Sequence, residues 1–190
     1  MTIPKNAKRV FKGILFDVYQ WPQKQFDGTY KTFEMIARKP TVDIIATAGK
    51  KIIILKQRQP RSQEYYSFPA GRIEENETPK ECAIRELEEE TGYSTKTMSA
   101  YKMFKGSAKI YFPEYMFIAR ECKKTSSKHL DGGEKICVTF MDFNEFLQLC
   151  KKRFIGPREF QKIMYECLMD RNKKEKLRKK IFEKKRRRYK

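Results

Sequence analysis

The chain has 190 residues, of which 39% are hydrophobic and 35% charged, and a formal net charge of +19 at pH 7. The apolar fraction excludes a disordered chain, and charged residues interrupt every apolar run before the roughly 20 residues that a membrane span needs. The N-terminus lacks the apolar core of a signal peptide, and five scattered cysteines without a Cys-x-x-Cys pair favour reduced thiols. We therefore expect an intracellular, cytoplasmic protein with no membrane partner.

Charge is distributed unevenly along the chain. Residues 151–190 contain 18 Lys and Arg against 5 Asp and Glu, a net charge of +13, whereas residues 1–150 carry a net charge of +6. The sequence thus predicts a mildly basic globular domain over residues 1–150 and a C-terminal helix with a polybasic tail over residues 151–190.

The predicted elements begin with strands. Alternating apolar and polar residues indicate strands over Val10–Gln20, Thr32–Arg38, Val42–Thr47, Ile52–Leu55 and Tyr65–Pro69. The N-terminal strands therefore occupy residues 10–38. A helix follows from Pro79, and strands return near Met98–Phe104, Tyr115–Ala119 and Ile136–Phe140. This order predicts a mixed α+β domain in layers.

Helices close the chain. Asp142 with Glu145 gives a capping pair ahead of an apolar stripe formed by Phe143, Phe146, Leu147 and Cys150, and a further helix is predicted from Gly156-Pro157. From Arg171 onward, 13 of 20 residues are Lys or Arg, so the last turns are expected to fray at low salt. Two interpretations of residues 171–190 remain open: a surface that binds nucleic acid or another polyanion, and a solvated, solubilising helix.

The helix predicted from Pro79 carries a cluster of carboxylates. Thr78 and Glu81 have the spacing of a capping box, and Gly92 can end the helix in a left-handed conformation. Three glutamates share one face because they stand three and four residues apart: Glu86, Glu89 and Glu90. A hard divalent cation relieves their repulsion, and the preceding Pro69-Ala70-Gly71 can point a backbone carbonyl at the ion. The alternative is a solvated acidic face.

The segment that contains this helix resembles the signature of the Nudix hydrolase family, G-x5-E-x7-R-E-U-x-E-E-x-G-U, in which U is a bulky apolar residue. Leu87 and Tyr93 take the two U positions. All seven fixed positions are met, by Gly71, Glu77, Arg85, Glu86, Glu89, Glu90 and Gly92.

The resemblance implies a Nudix-like α/β/α sandwich with a mixed β-sheet, here followed by a basic C-terminal helical extension. It implies that Mg²⁺, or Mn²⁺, is held by Glu86, Glu89, Glu90 and the Ala70 carbonyl. Arg85 would orient the glutamates, and Gly71, Glu77 and Gly92 would be accessory residues of the signature.

Other segments resemble the ADP-ribose pyrophosphatase branch of that family: Lys12–Val18, Ile53–Arg58, Phe68–Glu74 and Leu130–Ile136. In that branch a glutamate on the last of these loops is a catalytic base or a further metal ligand, which makes Glu134 a candidate catalytic residue beside Glu89 and Arg85. Homodimerisation through the N-terminal strands is also implied. Arg58 is a candidate pyrophosphate contact by its charge, and Trp21 offers an aromatic face to a nucleobase; a surface arginine and a packed tryptophan are the alternatives.

The expected function is therefore Mg²⁺-dependent hydrolysis of a pyrophosphate bond in a nucleotide substrate of the ADP-ribose or nucleoside-diphosphate-sugar type. One alternative is a Nudix enzyme that removes the cap of an RNA held by the basic tail. Another is a non-catalytic nucleic-acid-binding protein on a Nudix scaffold, against which the complete carboxylate cluster argues.

Overall fold

The computed structural model describes residues 2–106, 109–128, 135–153 and 155–183. The strands within these ranges are β1 (Lys8–Lys12), β2 (Phe16–Lys24), β3 (Tyr30–Arg38), β4 (Thr41–Ala48), β5 (Lys51–Arg58), β6 (Tyr65–Ser67), β7 (Ala70–Arg72), β8 (Tyr93–Ser94), β9 (Thr97–Lys105), β10 (Ile110–Tyr111), β11 (Pro113–Arg120), β12 (Lys123–Lys124) and β13 (Lys135–Met141). The helices are α1 (Pro79–Thr91), α2 (Phe143–Lys152), α3 (Arg158–Met169) and α4 (Arg171–Phe182).

The N-terminal strands form a sheet of their own, in the order β1-β2-β3-β10. The prediction of one strand over Val10–Gln20 is wrong, because the chain reverses between β1 and β2. The backbone N–H of Gly13 donates to the carbonyl of Phe16 at 3.0 Å, and Ile14 at the turn is 89% exposed. Apolar composition alone cannot distinguish a hairpin loop of this kind from a continuous strand.

The central sheet is mixed and has the order β13-β5-β4-β11-β9, with β6 on β5 and β7 on β4. β11 runs parallel to β4, and the other pairs in this sheet are antiparallel. The pairing of β7 with β4 brings Ala70 opposite Asp43. It thereby fixes the segment that leads into α1 against the middle of the sheet.

Helices cover both faces of the central sheet. Successive residues of a strand point to opposite faces, and on β4 Ile44 packs with Leu87 of α1, whereas Ile45 packs with residues of α2, α3 and α4. The predicted α+β fold with an α/β/α sandwich is therefore confirmed. Among the described residues, none of the helices combines the length and the apolar character that a membrane crossing requires.

The described part of the basic C-terminal segment forms a helix that packs on the core. The side chain of Asp170 accepts hydrogen bonds from the backbone N–H groups of Asn172 at 2.8 Å and Lys173 at 3.1 Å, so it caps a separate helix, α4. Leu177 and Ile181 are buried in the core shared with α2 and α3. α4 is therefore helical as far as Phe182; residues 184–190 lie outside the described ranges, and fraying of the last turns at low salt stays a prediction.

Candidate active site

Both ends of α1 have the caps that the sequence predicts. The Thr78 backbone N–H donates to the Glu81 carboxylate at 2.8 Å, and the Glu81 N–H donates to the Thr78 hydroxyl at 3.3 Å. At the other end Gly92 has φ of 74° and its N–H donates to the Glu88 carbonyl at 2.7 Å. Local signals thus set the start and end of the helix, and with them the direction of its glutamates.

Arg85 lies among the carboxylates of the cluster. Its Nε donates to Glu77 Oε1 at 2.8 Å, and its Nη1 donates both to Glu86 Oε1 at 2.7 Å and to Glu89 Oε2 at 2.9 Å. One guanidinium therefore offsets the repulsion of three acids. The planar fork of arginine makes this possible, since a lysine ammonium has no comparable fixed geometry.

This arrangement shifts the pKa values of two glutamates in opposite directions. Hydrogen bonds from Arg85 lower the pKa of the Glu77 carboxyl to about 2. Burial raises the pKa of the Glu86 carboxyl to about 7, and the nearby Arg85 only partly opposes that rise. Glu86 is therefore a desolvated acid whose charged form gains from a nearby cation.

Glu90 joins α1 to the loop that precedes it. It is 7% exposed, and its Oε2 accepts a hydrogen bond from the Ala70 backbone N–H at 2.8 Å. The preceding residue of the loop bonds to β4 instead: the Pro69 carbonyl accepts a hydrogen bond from the Ile44 N–H at 2.9 Å. The N–H and C=O of one residue leave an antiparallel strand on the same side, so the register directs the Ala70 carbonyl towards Glu90 rather than towards β4.

Gly71 lacks a side chain where the Glu86 carboxylate packs closely against the backbone. The glycine is not needed for an unusual backbone angle. Its φ lies outside the left-handed region. A methyl group in place of its hydrogen would lie 2.5 Å from Glu86 Oε2 and nearer still to Oε1 and Cδ. The absence of a side chain therefore creates the space that the Glu86 carboxylate fills.

The chemistry of these donors fits a hard divalent cation, which prefers carboxylate and carbonyl oxygens. Arg85 takes one oxygen of Glu86 and one of Glu89, and within the described residues the other oxygen of each accepts no hydrogen bond. In the same part of the chain, no three acidic, histidine or cysteine side chains already enclose a common point. The fit to Mg²⁺ or Mn²⁺ therefore rests on the oxygen chemistry of the donors and not on a closed ligand shell.

An open cleft of about 500 Å³ begins at this cluster and follows the outer side of α1. Arg85 and Glu89 line it together with Glu81, Ile84, Glu88 and Ser126. Its volume is in the range of small-molecule sites.

The remaining predicted site residues lie elsewhere. Arg58 is exposed at the end of β5, opposite Lys135 of β13. Trp21 belongs to the N-terminal sheet, where its ring is buried against Phe33 with 5.0 Å between centroids. Glu134 lies outside the described residues.

Sequence reasoning missed two carboxyls on the other face of the sheet. Asp43, opposite Ala70, is 9% exposed, and burial with the nearby Glu114 raises its pKa to about 7. Burial likewise raises the pKa of Glu114 to about 7. The available signal was a single acid inside the otherwise apolar run Val42–Thr47.

Comparison with known proteins identifies the family. The model of the NUDIX domain matches residues 37–161, about two thirds of the chain. The chain belongs to the Nudix hydrolase family and is a Nudix pyrophosphohydrolase.

Three curated relatives are similar over different lengths. The ADP-ribose pyrophosphatase of Bacillus subtilis (strain 168) is 31% identical over 157 residues, which cover 80% of this chain and 83% of that protein. The ADP-sugar pyrophosphatase of Mus musculus is 54% identical over 75 residues, 34% of each chain. The mRNA-decapping protein g5R of African swine fever virus (isolate Pig/Kenya/KEN-50/1950) is 31% identical over 94 residues, 46% of this chain and 38% of that protein.

A solved structure shares the fold. The crystal structure of an ADP compounds hydrolase superposes with a TM-score of 0.64 at 19% identity, over 77% of this chain and 81% of that chain. At this identity the likeness concerns the fold alone. The predicted resemblance to the ADP-ribose pyrophosphatase branch is confirmed by the relative from Bacillus subtilis.

Proposed function

We propose that this protein hydrolyses the pyrophosphate bond of a nucleoside diphosphate derivative, of the ADP-ribose or nucleoside-diphosphate-sugar type, with Mg²⁺ or Mn²⁺ as cofactor. The observation that carries the proposal is the group of acids fixed by Arg85 beside Gly71, with Glu86 and Glu89 each keeping one oxygen without a hydrogen bond in the described residues. The pyrophosphatase relatives from Bacillus subtilis and Mus musculus support the substrate class.

Glu86, Glu89, Glu90 and the Ala70 carbonyl are the proposed metal ligands. A bound divalent ion polarises phosphoryl oxygens and lowers the pKa of a water molecule. Arg85 fixes the orientation of Glu86 and Glu89, because its guanidinium bonds to both. No covalent intermediate is needed, since water is the nucleophile.

The roles of residues outside the cluster are also proposals. Glu134 would accept a proton from the attacking water or add a metal ligand. Arg58 would contact the pyrophosphate, since a guanidinium pairs well with phosphate oxygens. Trp21 would present its ring to the nucleobase, in an assembly of two chains that exposes the ring or adds the rest of the nucleobase site.

A product analysis tests the proposal. The purified protein is incubated with Mg²⁺ and with ADP-ribose, sugar nucleotides, NADH, dinucleoside polyphosphates or capped RNA, and products are identified by mass. We expect AMP and a sugar phosphate from ADP-ribose, or a nucleoside monophosphate and a sugar phosphate from a sugar nucleotide. The proposal would be contradicted if none of the small substrates were cleaved.

A homodimer is proposed because the β1–β2 hairpin exposes apolar side chains that a second copy could cover. Phe11 is 58% exposed and Ile14 is 89% exposed. Sedimentation equilibrium is expected to give twice the chain mass, and Ile14→Asp is expected to shift the protein towards monomer. A monomer at micromolar concentration would contradict this assembly.

The second candidate function is hydrolysis of a capped RNA, which the mRNA-decapping relative favours over part of the chain. The two functions differ in whether activity depends on the positive charges of α4. Cleavage of capped RNA alone, abolished by removal of the α4 charges, would replace the first proposal by the second.

A further inference from the structure

The two sides of α4 have opposite character. Its apolar residues face the protein: Leu177 and Ile181 are buried, and Phe182 packs edge-on against Phe143 with 6.3 Å between ring centroids. The exposed side consists almost entirely of cations, namely Arg171, Lys173, Lys176, Arg178, Lys179 and Lys180. We call these six residues the α4 basic face.

Contacts to β9 and β11 hold this face in place. The Nη2 of Arg120, a residue of β11 that is 9% exposed, donates to the backbone carbonyl of Lys180. The Lys180 ammonium lies 5.1 Å from the ring centroid of Tyr101 on β9. The cations are therefore presented by a docked helix, so less conformational entropy is lost when they bind a ligand than from a loose tail.

Helix stability accounts for only part of this charge pattern. The first turn of α4 contains Arg171, Lys173 and Lys174 and no acid, although the positive end of a helix dipole favours acids. Lys176 and Lys179 stand three residues apart, a spacing at which like charges repel. The basic residues of the first turn thus gain nothing from the helix dipole, whereas Lys179 and Lys180 in the last turn are favoured by it.

Few of the cations have an acidic partner. Lys173 pairs with Glu166 at 3.0 Å, and Arg178 pairs with Glu175 at 2.8 Å. Within the described residues, Arg171, Lys176 and Lys179 form no ion pair. They are the charges that are available to an external polyanion.

We propose that the α4 basic face binds the phosphodiester backbone of a nucleic acid, at a site separate from the catalytic cleft. A row of exposed cations neutralises phosphates without reading sequence. A membrane surface fits less well, because an interfacial helix inserts its apolar side, and here that side is buried in the core. The sequence continues with six Lys or Arg among residues 184–190, so the net charge of the C-terminal segment is strongly positive.

The site lies on the opposite side of the central sheet from α1. Leu177 and Ile181 belong to the core on one face of the sheet, and Leu87 of α1 belongs to the core on the other. Nucleic acid on the α4 basic face would therefore tether the enzyme and would not fill the cleft beside Arg85. The inference does not depend on the proposed substrate.

Fluorescence anisotropy tests the inference with the full chain and a labelled 20-nucleotide single strand, as RNA and as DNA of the same sequence, over a salt series. The test variant is Arg171→Gln/Lys176→Gln/Lys179→Gln. The matched control, Lys31→Gln/Lys50→Gln/Lys96→Gln, removes the same charge from three exposed sites elsewhere. At about 0.15 M salt we expect the test variant to bind at least about tenfold more weakly, with a salt slope lower by about two, as expected for three lost phosphate contacts. The control should stay within about twofold of the unchanged protein.

Binding of RNA, DNA or both supports the inference when it depends on these three residues. Equal weakening in both triple variants would overturn it, since the effect would then reflect net charge alone. Binding to phosphatidylserine vesicles through α4, without binding to either strand, would overturn it as well. The test variant is expected to hydrolyse ADP-ribose at the same rate as the original protein. If the original protein cleaves no small substrate yet binds RNA through α4, the proposed function fails and this inference stands.

Discussion

Replacement of Gly71 by alanine tests the position of the proposed metal-binding acids separately from the stability of the fold. The added methyl group would lie 2.5 Å from Glu86 Oε2 and closer to Oε1, whereas carbon atoms essentially never approach such atoms within 3.0 Å. The carboxylate must therefore move by more than about 1 Å. This movement should change the free energy of unfolding little, because the carboxylate lies at the end of a flexible side chain and the φ of Gly71 is not left-handed.

A displacement of about 1 Å in a catalytic group can lower the rate by about 100-fold. We therefore expect Gly71→Ala to reduce kcat/KM for the best substrate by about 100-fold or more. The free energy of unfolding should change by no more than about 1 kcal/mol, the usual range for changes that create neither a cavity nor backbone strain.

The assay pairs steady-state kinetics under saturating Mg²⁺ with urea unfolding. Gly28→Ala is a matched control with the reverse expectation, because Gly28 has φ of 86° and open space around it. That variant should lose about 1 kcal/mol of stability and keep its turnover. Near-normal turnover in Gly71→Ala would refute the argument that the glycine makes room for Glu86.

Three further predictions concern other parts of the molecule. Arg85→Lys should lower kcat by about 100-fold with the fold retained, because one ammonium cannot hold Glu77, Glu86 and Glu89 in place; thermal unfolding checks the fold. Burial raises the pKa of Asp43 to about 7 from an ordinary value of 3.8, so the folded state binds more protons between these values and stability falls as pH rises from about 4 to 7. Asp43→Asn should flatten this fall and be more stable than the unchanged protein at pH 8, by urea unfolding in EDTA. Leu177→Ala should lower the free energy of unfolding by about 2–4 kcal/mol because it opens a cavity in the core, whereas a loss below about 0.5 kcal/mol would show that α4 is not docked.

The sequence predicted α1 well because its signals are local. Thr78, Pro79 and Gly92 define the two ends of the helix by caps that depend on neighbouring residues only. Once the ends are known, the helical period fixes which glutamates share a face. The same reasoning predicted α2 and its buried stripe from Asp142 onward.

Long-range packing explains what the sequence did not reveal. Leu177 and Ile181 are isolated among lysines, and nothing local indicates that β11 offers Arg120 and an apolar surface to receive them. The turn at Gly13 was hidden within an apolar stretch that reads as a strand. The burial of Asp43 likewise depends on Glu114 and on β7, which are distant in the chain.

Metal dependence of turnover in paired proteins distinguishes metal-assisted hydrolysis at the Glu86–Glu90 cluster from any other mechanism. The unchanged protein and Glu90→Gln are stripped of metal, confirmed as folded by circular dichroism, and assayed with ADP-ribose and with the best sugar nucleotide before and after addition of Mg²⁺. We expect cleavage of the phosphoanhydride only when Mg²⁺ is present, and turnover lower by at least about 100-fold in Glu90→Gln, because one proposed metal ligand is weakened. Turnover without a divalent cation, or normal turnover in folded Glu90→Gln, would contradict metal-assisted hydrolysis at this site.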